Sequence, residues 1–344
     1  MTSSPPLVSL LIPTYNSALT IAEAIESCRN QTWPNLEIII YDEMSKDGTR
    51  KIIQAAAAAD KRIRYIFSDT NSGPVKAWRV LLHEAKGKYF TWVWADDLVL
   101  PKFVETLASI LEENPSQVIA GANAYTEMLP ETTAGSASAV VTGEKSRGLL
   151  HHFDTVQVKG DVLALGILAA VFPVSQLCYL VRTEAGKDVF DHYMQFENPY
   201  GFDFLKRAYG NDVSYASELG LRSGEVMMIG EPLSVCRASP ASMTVNAHRN
   251  HRWQYWLQYV WAIRFAWRRC RDLSPRMDSL IRVVDDRVSL CETVYALKNK
   301  KMPKEFCPIK IARAIWFIKF EDRRMNPKVG AASLEAWLAK KASK

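Results

Sequence analysis

The sequence predicts an α/β protein, a mostly parallel sheet with helices on both faces, followed by a helical C-terminal region. Three observations carry this reading. Short apolar runs and amphipathic stretches alternate four times within the first 125 residues, the pattern of parallel strands joined by crossover helices. Polar clusters stand at the ends of three of the predicted strands. The charge balance then reverses after residue 247: residues 248–344 carry 22 Lys and Arg against 9 Asp and Glu, whereas residues 1–247 carry 21 against 28.

The elements follow in order. Residues 8–13 (VSLLIP) read as a strand, and Thr20 opens a helix with Glu23 completing a capping box. Ile21, Ala24, Ile25 and Cys28 give that helix an apolar stripe. Residues 37–42 (EIIIYD) form a second strand, after which Asp47 can cap a helix with Ile52, Ile53 and Ala56 inward. Residues 62–67 alternate and so predict a less buried strand. The next helix has Pro74 near its start, Gly87 just past its end, and a buried face of Trp78, Leu81, Leu82 and Ala85. YFTWVW, residues 89–94, is the fourth strand. Pro101 starts a helical turn continued by Phe103, Leu107, Ile110 and Leu111, and VIAGA at 118–122 is a fifth strand.

Composition narrows the class. The 344 residues are 48% apolar, enough for one large or two ordinary cores. The six cysteines include no C-x-x-C pair, which argues against a zinc site or disulfide framework and for a reducing compartment. The start, MTSSPPLVSLLIP, lacks the basic n-region of a signal peptide. The apolar stretch between Asp161 and Arg182 is interrupted by Pro173, Ser175 and Gln176 and is too short to span a bilayer. A soluble or peripheral protein is expected.

In open parallel sheets, ligands bind outside the carboxyl ends of the strands. PTYN follows the first strand, DEMSKDGT the second and ADD the fourth. Ordinary turns account for any one of these motifs but poorly for all three at one edge. No G-x-G-x-x-G follows the first strand and no G-x-x-x-x-G-K-[ST] occurs, so phosphate cannot rest on a glycine loop. A divalent cation on carboxylates is another source of positive charge. Oxygen ligands favour Mg²⁺ or Mn²⁺, and such an ion explains why Asp96 and Asp97 are adjacent despite their repulsion.

VSLLIPTYNSALTIAEAIESCRNQTWPNLEIIIYDEMSKDGT (8–49), NSGPVKAW (71–78), AKGKYFTWVWADDLVLP (85–101) and GEPLSVCRASPASMT (230–244) together resemble glycosyltransferase family 2 enzymes. The resemblance runs through about residues 7–245 and is most specific in its first hundred residues. It implies the GT-A fold, a Rossmann-like mostly parallel sheet, and inverting transfer from a nucleotide-diphosphate sugar, with a UDP-sugar favoured. It further implies that Pro13, Thr14 and Tyr15 line the nucleotide, with Tyr15 beside the base, and that Asp42 reads the base edge. Asp96 would lie near ribose and metal, and Asp97 would be the metal ligand, for Mn²⁺ or Mg²⁺. FDFLKRA (202–208) matches the segment that carries the family's base, which puts Asp203 in that role. A helix N-cap is the alternative for Asp203, and Glu197 is its nearest rival as base.

The sequence departs from the family pattern at named positions. Trp94 stands where a first acid is common, Met44 where glycine is frequent, Arg79 where Asn is frequent, Phe202 where an acid precedes the base, and Ser239 where some members hold a His. Lys76 could approach the diphosphate or be a solvated helix-start lysine. Residues 130–148 read as a loop between a donor half (about 7–125) and an acceptor half (about 150–247) of one catalytic domain, 1–247.

Residues 248–344 form a basic region holding six of the ten tryptophans. One long helix suits 250–272, with Arg264, Arg268 and Arg271 as a cationic stripe and Pro275 as its break. A second runs to Lys298 on Leu280, Val283, Val284, Cys291 and Val294, a third follows Pro308, and a short one ends the chain. These helices fit packing on the catalytic domain, a homodimer contact, or a peripheral surface on anionic lipid at the cytoplasmic face of a membrane. No nucleic-acid motif accompanies the charge, so nucleic acid is not an expected partner. The expected partners are a nucleotide-sugar donor and a sugar or lipid-linked acceptor. Two other functions compete with transfer: a catalytically weak nucleotide-sugar-binding subunit of a glycan assembly complex, and a nucleotidylyltransferase. The latter lacks its glycine-rich basic loop.

Overall fold

A computed structural model describes residues 4–129, 147–197, 210–239 and 252–298, and residues 200, 201, 203 and 208 singly. The expected strands and helices of the first half are present. They are β1 (Val8–Thr14), α1 (Ile21–Arg29), β2 (Leu36–Glu43), α2 (Thr49–Ala59), β3 (Ile63–Ser68), α3 (Pro74–Glu84), β4 (Tyr89–Trp92), β5 (Leu98–Val99), α4 (Phe103–Glu113) and β6 (Ile119–Met128). Then come β7 (Gly148–Leu149), β8 (Val156–Lys159), α5 (Gly160–Leu168), β9 (Tyr179–Arg182), α6 (Thr183–Tyr193), α7 (Asn211–Ser223), β10 (Glu225–Ala238), α8 (Arg252–Arg269) and α9 (Met277–Lys298).

The strands make one sheet in the order β3-β2-β1-β4-β9-β6-β10-β5, with β7 on β6 and β8 on β10. β1 pairs in parallel with β2 and β4, and β2 with β3. β9 is antiparallel to both β4 and β6, so β6 and its parallel neighbour β10 run the same way as β1. The carboxyl ends of β1, β2, β4, β6 and β10 therefore share one edge.

Alternation along the strands divides the core. Leu10, Ile12, Ile38 and Ile40 face one buried layer with α1 and α4, and Leu11, Ile39, Phe90 and Trp92 face another with α3, α6 and α7. Strands buried on both faces are what crossover helices produce. The apolar stretch after Asp161 becomes α5, whose nine residues are all buried. Among the described residues no helix is long and apolar enough to cross a membrane.

Local expectations changed where distant partners intervene. The helix α1 has Thr20 as its N-cap residue without a side-chain cap hydrogen bond, and Glu23 instead pairs with Arg237. The N-cap of α2 is Gly48, at φ 100°. Asp47 precedes it and accepts from the Thr49 N–H (3.2 Å) and hydroxyl (2.6 Å). Gly87 lies beyond the end of α3 and serves close approach, because a Cβ there would come within 2.6 Å of Ser9 Oγ. β4 ends at Trp92, two residues earlier than expected, as the chain turns so that the Asp97 N–H reaches the Trp94 carbonyl at 3.0 Å.

Residues 252–298 of the basic region pack on the α/β body. Trp267 is fully buried and its Nε1–H donates to Ser217 Oγ of α7 at 2.9 Å. The expected cationic stripe is compensated by acids: Arg264 pairs with Asp285 (2.6 Å), Arg268 with Asp285 (3.5 Å) and Arg271 with Asp278 (2.7 Å). α9 is described as far as Lys298, with Leu280, Val284 and Val294 buried. The two later helices and most of the 130–148 loop lie outside the described residues.

Candidate active site at the carboxyl edge of the sheet

The end of β1 is built around neighbours from β2. Pro13 and Thr14 stand in register with Tyr41 and Asp42. The two following loops are stitched together. The Asn16 N–H donates to Ser45 Oγ (2.7 Å), the Lys46 N–H to Asn16 Oδ1 (2.9 Å), the Ser17 N–H to Thr49 Oγ1 (2.8 Å) and the Ala18 N–H to Asp47 Oδ2 (3.0 Å). Asn16 and Met44 hold left-handed backbone at φ 49° and 60°, a conformation Asn tolerates and Met does not favour. Met44 thus bends as the frequent glycine would.

Asp42 is fully buried. Its Oδ2 accepts from Arg50 Nε at 2.6 Å and from the Ser45 N–H at 3.1 Å. Arg50, in the first turn of α2, also reaches the Ser68 carbonyl and lies 4.8 Å over the Phe67 ring. Asp42 Oδ1 and Thr14 Oγ1 are buried and have no hydrogen-bond partner. A buried unpaired polar atom is costly unless something binds it. Tyr15 beside them is 50% exposed, a large aromatic face open to a ligand. Next to Asp42, Glu43 accepts from the Ser72 N–H at 2.8 Å, and burial pushes its carboxyl above the usual range despite that bond.

Asp96 and Asp97 follow β4. Asp96 is half-buried and Asp97 is 4% exposed. The strand β5 just after them pairs antiparallel with β10 through Leu98 and Val235, which brings Arg237 against the pair. The Arg237 N–H donates to Asp97 Oδ1 at 2.7 Å, and its guanidinium bonds the Asp96 carbonyl and the Glu23 carboxylate. Burial raises the Asp97 carboxyl well above its ordinary value, with Cys236 and Asp96 adding to the shift and Arg237 opposing it. Burial also raises Asp96.

Trp94 contributes no ligand here. Its ring stacks on Trp92 (6.1 Å, 4° between planes), lies 5.3 Å from Trp78, and its Nε1–H donates to Ser175 Oγ at 3.2 Å. Among the described residues no three or more His, Cys, Asp or Glu converge as a metal cage. Two adjacent carboxylates do fit an ion such as Mg²⁺ or Mn²⁺ that takes its remaining ligands from water and substrate phosphates. Lys76 Nζ donates to Ser72 Oγ at 3.3 Å.

Asp203 is exposed. It lies in the connection from α6 to α7. Its neighbours Phe202 and 204–207 lie outside the described residues. Glu197 borders a cavity of about 300 Å³ between α6 and α8, lined also by His192, Phe196, Trp261 and Phe265.

Sequence reading missed Arg50, Arg237 and Glu23 as members of the site. Arg50 is a lone arginine after DGT, and only closure of the loop shows its partner.

Comparison with known proteins agrees with this architecture. The sequence model of glycosyl transferase family 2 matches residues 9–155. An uncharacterized glycosyltransferase of Haemophilus influenzae is 32% identical over 123 residues, 36% of this chain and 49% of that protein. TuaG of Bacillus subtilis, provisionally named a teichuronic acid biosynthesis glycosyltransferase, is 38% identical over 97 residues, 28% of this chain and 38% of that protein. The chain spans about half or less of the length of the curated relatives it matches. The mannosyltransferase PcManGT of Pyrobaculum calidifontis, solved with GDP-Man and Mn²⁺, shares the fold at a TM-score of 0.52 and 17% identity, covering 99% of this chain and 82% of that one. Through residues 9–155, the chain is similar to the glycosyl transferase family 2 enzymes.

Proposed function

We propose that the protein is an inverting glycosyltransferase that moves a sugar from a nucleotide-diphosphate donor, a UDP-sugar by preference, to an acceptor hydroxyl. The observation that carries the reading is the pair of buried, unpartnered oxygens, Asp42 Oδ1 and Thr14 Oγ1, at the same sheet edge as the paired carboxylates Asp96 and Asp97. The first pair suits the edge of a nucleobase, and Tyr15 suits its face. The second pair would hold Mn²⁺ or Mg²⁺, which when bound neutralises charge on the departing diphosphate. Asp203 would accept the proton of the acceptor hydroxyl. Arg237 keeps Asp97 oriented toward the edge.

TuaG's name motivates cell-surface polysaccharide or glycolipid synthesis as the setting, with a sugar or lipid-linked acceptor and a place on the cytoplasmic face of a membrane. The acids beside Arg264, Arg268 and Arg271 favour packing over lipid contact for residues 252–298. Trp94 supports a second reading, a catalytically weak nucleotide-sugar-binding subunit, because the indole faces Trp92 and Trp78 and leaves a site of two carboxylates.

Release of nucleoside diphosphate from a panel of nucleotide sugars separates the two. Transfer predicts release that needs Mn²⁺ or Mg²⁺ and disappears in Asp97→Ala. Binding without release, or release indifferent to Asp97, would reject transfer at this site.

A further inference from the structure

We infer that Arg50 selects the nucleobase, by leaving Asp42 one free acceptor oxygen instead of two. The inference rests on the donor reading above and goes beyond it in assigning selectivity to a residue outside the recognised motif.

Asp42 Oδ2 is saturated by Arg50 Nε at 2.6 Å and the Ser45 N–H at 3.1 Å. Arg50 cannot easily yield that oxygen. Its guanidinium is bonded to the Ser68 carbonyl and lies over the Phe67 ring at 4.8 Å. What remains for a ligand is one acceptor, Asp42 Oδ1, and one hydroxyl, Thr14 Oγ1, which can donate. The two residues face each other across parallel strands in register.

A uracil imide edge presents one N–H between two carbonyls, so it meets one acceptor and one donor. A guanine edge presents an N1–H and an adjacent amino group, two neighbouring donors. A carboxylate with both oxygens open would take both. Here the amino group would face the occupied Oδ2 and the Arg50 guanidinium, donor against donor. A ligand donor left unmatched in a buried site weakens binding by about tenfold or more.

The test compares GDP with IDP, which is the same purine without the 2-amino group, alongside UDP. Affinities are measured by calorimetry with Mn²⁺ on the full chain. UDP is expected to bind most tightly, and IDP about tenfold more tightly than GDP. Arg50→Met, which keeps the aliphatic stem but frees Oδ2, should shrink the GDP–IDP gap to about threefold or less, and Arg50→Lys should retain it. GDP binding as tightly as IDP to the wild type, or an unchanged gap in Arg50→Met, overturns the inference while leaving the donor reading intact. The wild-type comparison decides even where a variant fails to fold. Absence of binding by all three diphosphates overturns the donor reading and the inference with it.

Discussion

The backbone N–H of Arg237 donates to Asp97 Oδ1 at 2.7 Å, across 140 residues of sequence. The same arginine, its side chain fully buried, carries a guanidinium that pairs with Glu23 in α1 and with the Asp96 carbonyl. Three separate segments, the starts of α1 and β5 and the end of β10, thus fix the geometry of one carboxylate pair.

Glu23 is half exposed while its partner is not, so removing it strands a buried cation. Glu23→Gln would preserve a capping box and be nearly neutral if that were its role. As a partner of Arg237, the Gln substitution should lower stability by about 1–2 kcal/mol and Glu23→Ala by about 2–3 kcal/mol. Urea unfolding midpoints measure both, and a neutral Glu23→Gln would contradict the pairing.

Asp97 and Asp96 have folded-state values raised by burial. The folded protein therefore holds protons that the unfolded chain has released. From the ordinary carboxylate range upward through the raised values, stability of the metal-free protein falls as pH rises. A divalent cation favours the charged carboxylates and competes with those protons. The thermal shift on adding Mn²⁺ with UDP should be larger at pH 8 than at pH 5.5, and Asp97→Asn should flatten the dependence. An equal shift at both pH values would argue against cation binding at this pair.

The parallel half of the fold was legible because its signals are local. Ile38, Ile39 and Ile40 announce a strand buried on both faces, and Pro74 announces a helix start. The candidate site was legible only where family motifs mark it, at Thr14, Tyr15, Asp42 and Asp97. Arg50 lies just past the matching stretch, and Glu23 and Arg237 lie in matching stretches that assign them no role. Each reads locally as an ordinary helix or strand residue, and its role exists only once α2 folds against β2 or β10 closes on β5. The antiparallel β9 escaped the alternation rule for the same reason, since Tyr179–Arg182 is four residues whose direction is set by β4 and β6.

Met44 carries a strain that glycine would remove. Its φ of 60° is a conformation that opposes an ordinary side chain by about 1–2 kcal/mol. Glycine adds chain entropy to the unfolded state and gives up some packing, so Met44→Gly should stabilise by about 0.5–1 kcal/mol. An unfolding midpoint that drops would show that Met44 contacts outweigh the backbone.

Asp203→Asn should lower the transfer rate by about a hundredfold or more while UDP affinity stays within about twofold, as removal of a general base does. Single-turnover transfer and calorimetry supply the two numbers. A full rate would return attention to Glu197.

A buried ion pair helps fasten α8 and α9 to the α/β body. Arg276 Nη2 and Nε donate to Asp161 Oδ1 and Oδ2 at 2.6 and 2.7 Å, and the Ser274 hydroxyl donates to Oδ2 at 2.7 Å. Asp161 begins α5 and is 4% exposed, while Ser274 and Arg276 lead into α9, so this carboxylate ties the turn between α8 and α9 to the domain. Loss of one partner of a buried pair destabilises by about 3–5 kcal/mol. Asp161→Ala should therefore be among the most damaging substitutions outside the apolar core, with Trp267→Ala of similar size through lost burial. Asp161→Asn keeps an acceptor for Ser274 and should fall between. If Asp161→Ala unfolds at the wild-type midpoint, this pair does not fasten α8 and α9, and Trp267→Ala then measures the contribution of the indole packed on α7.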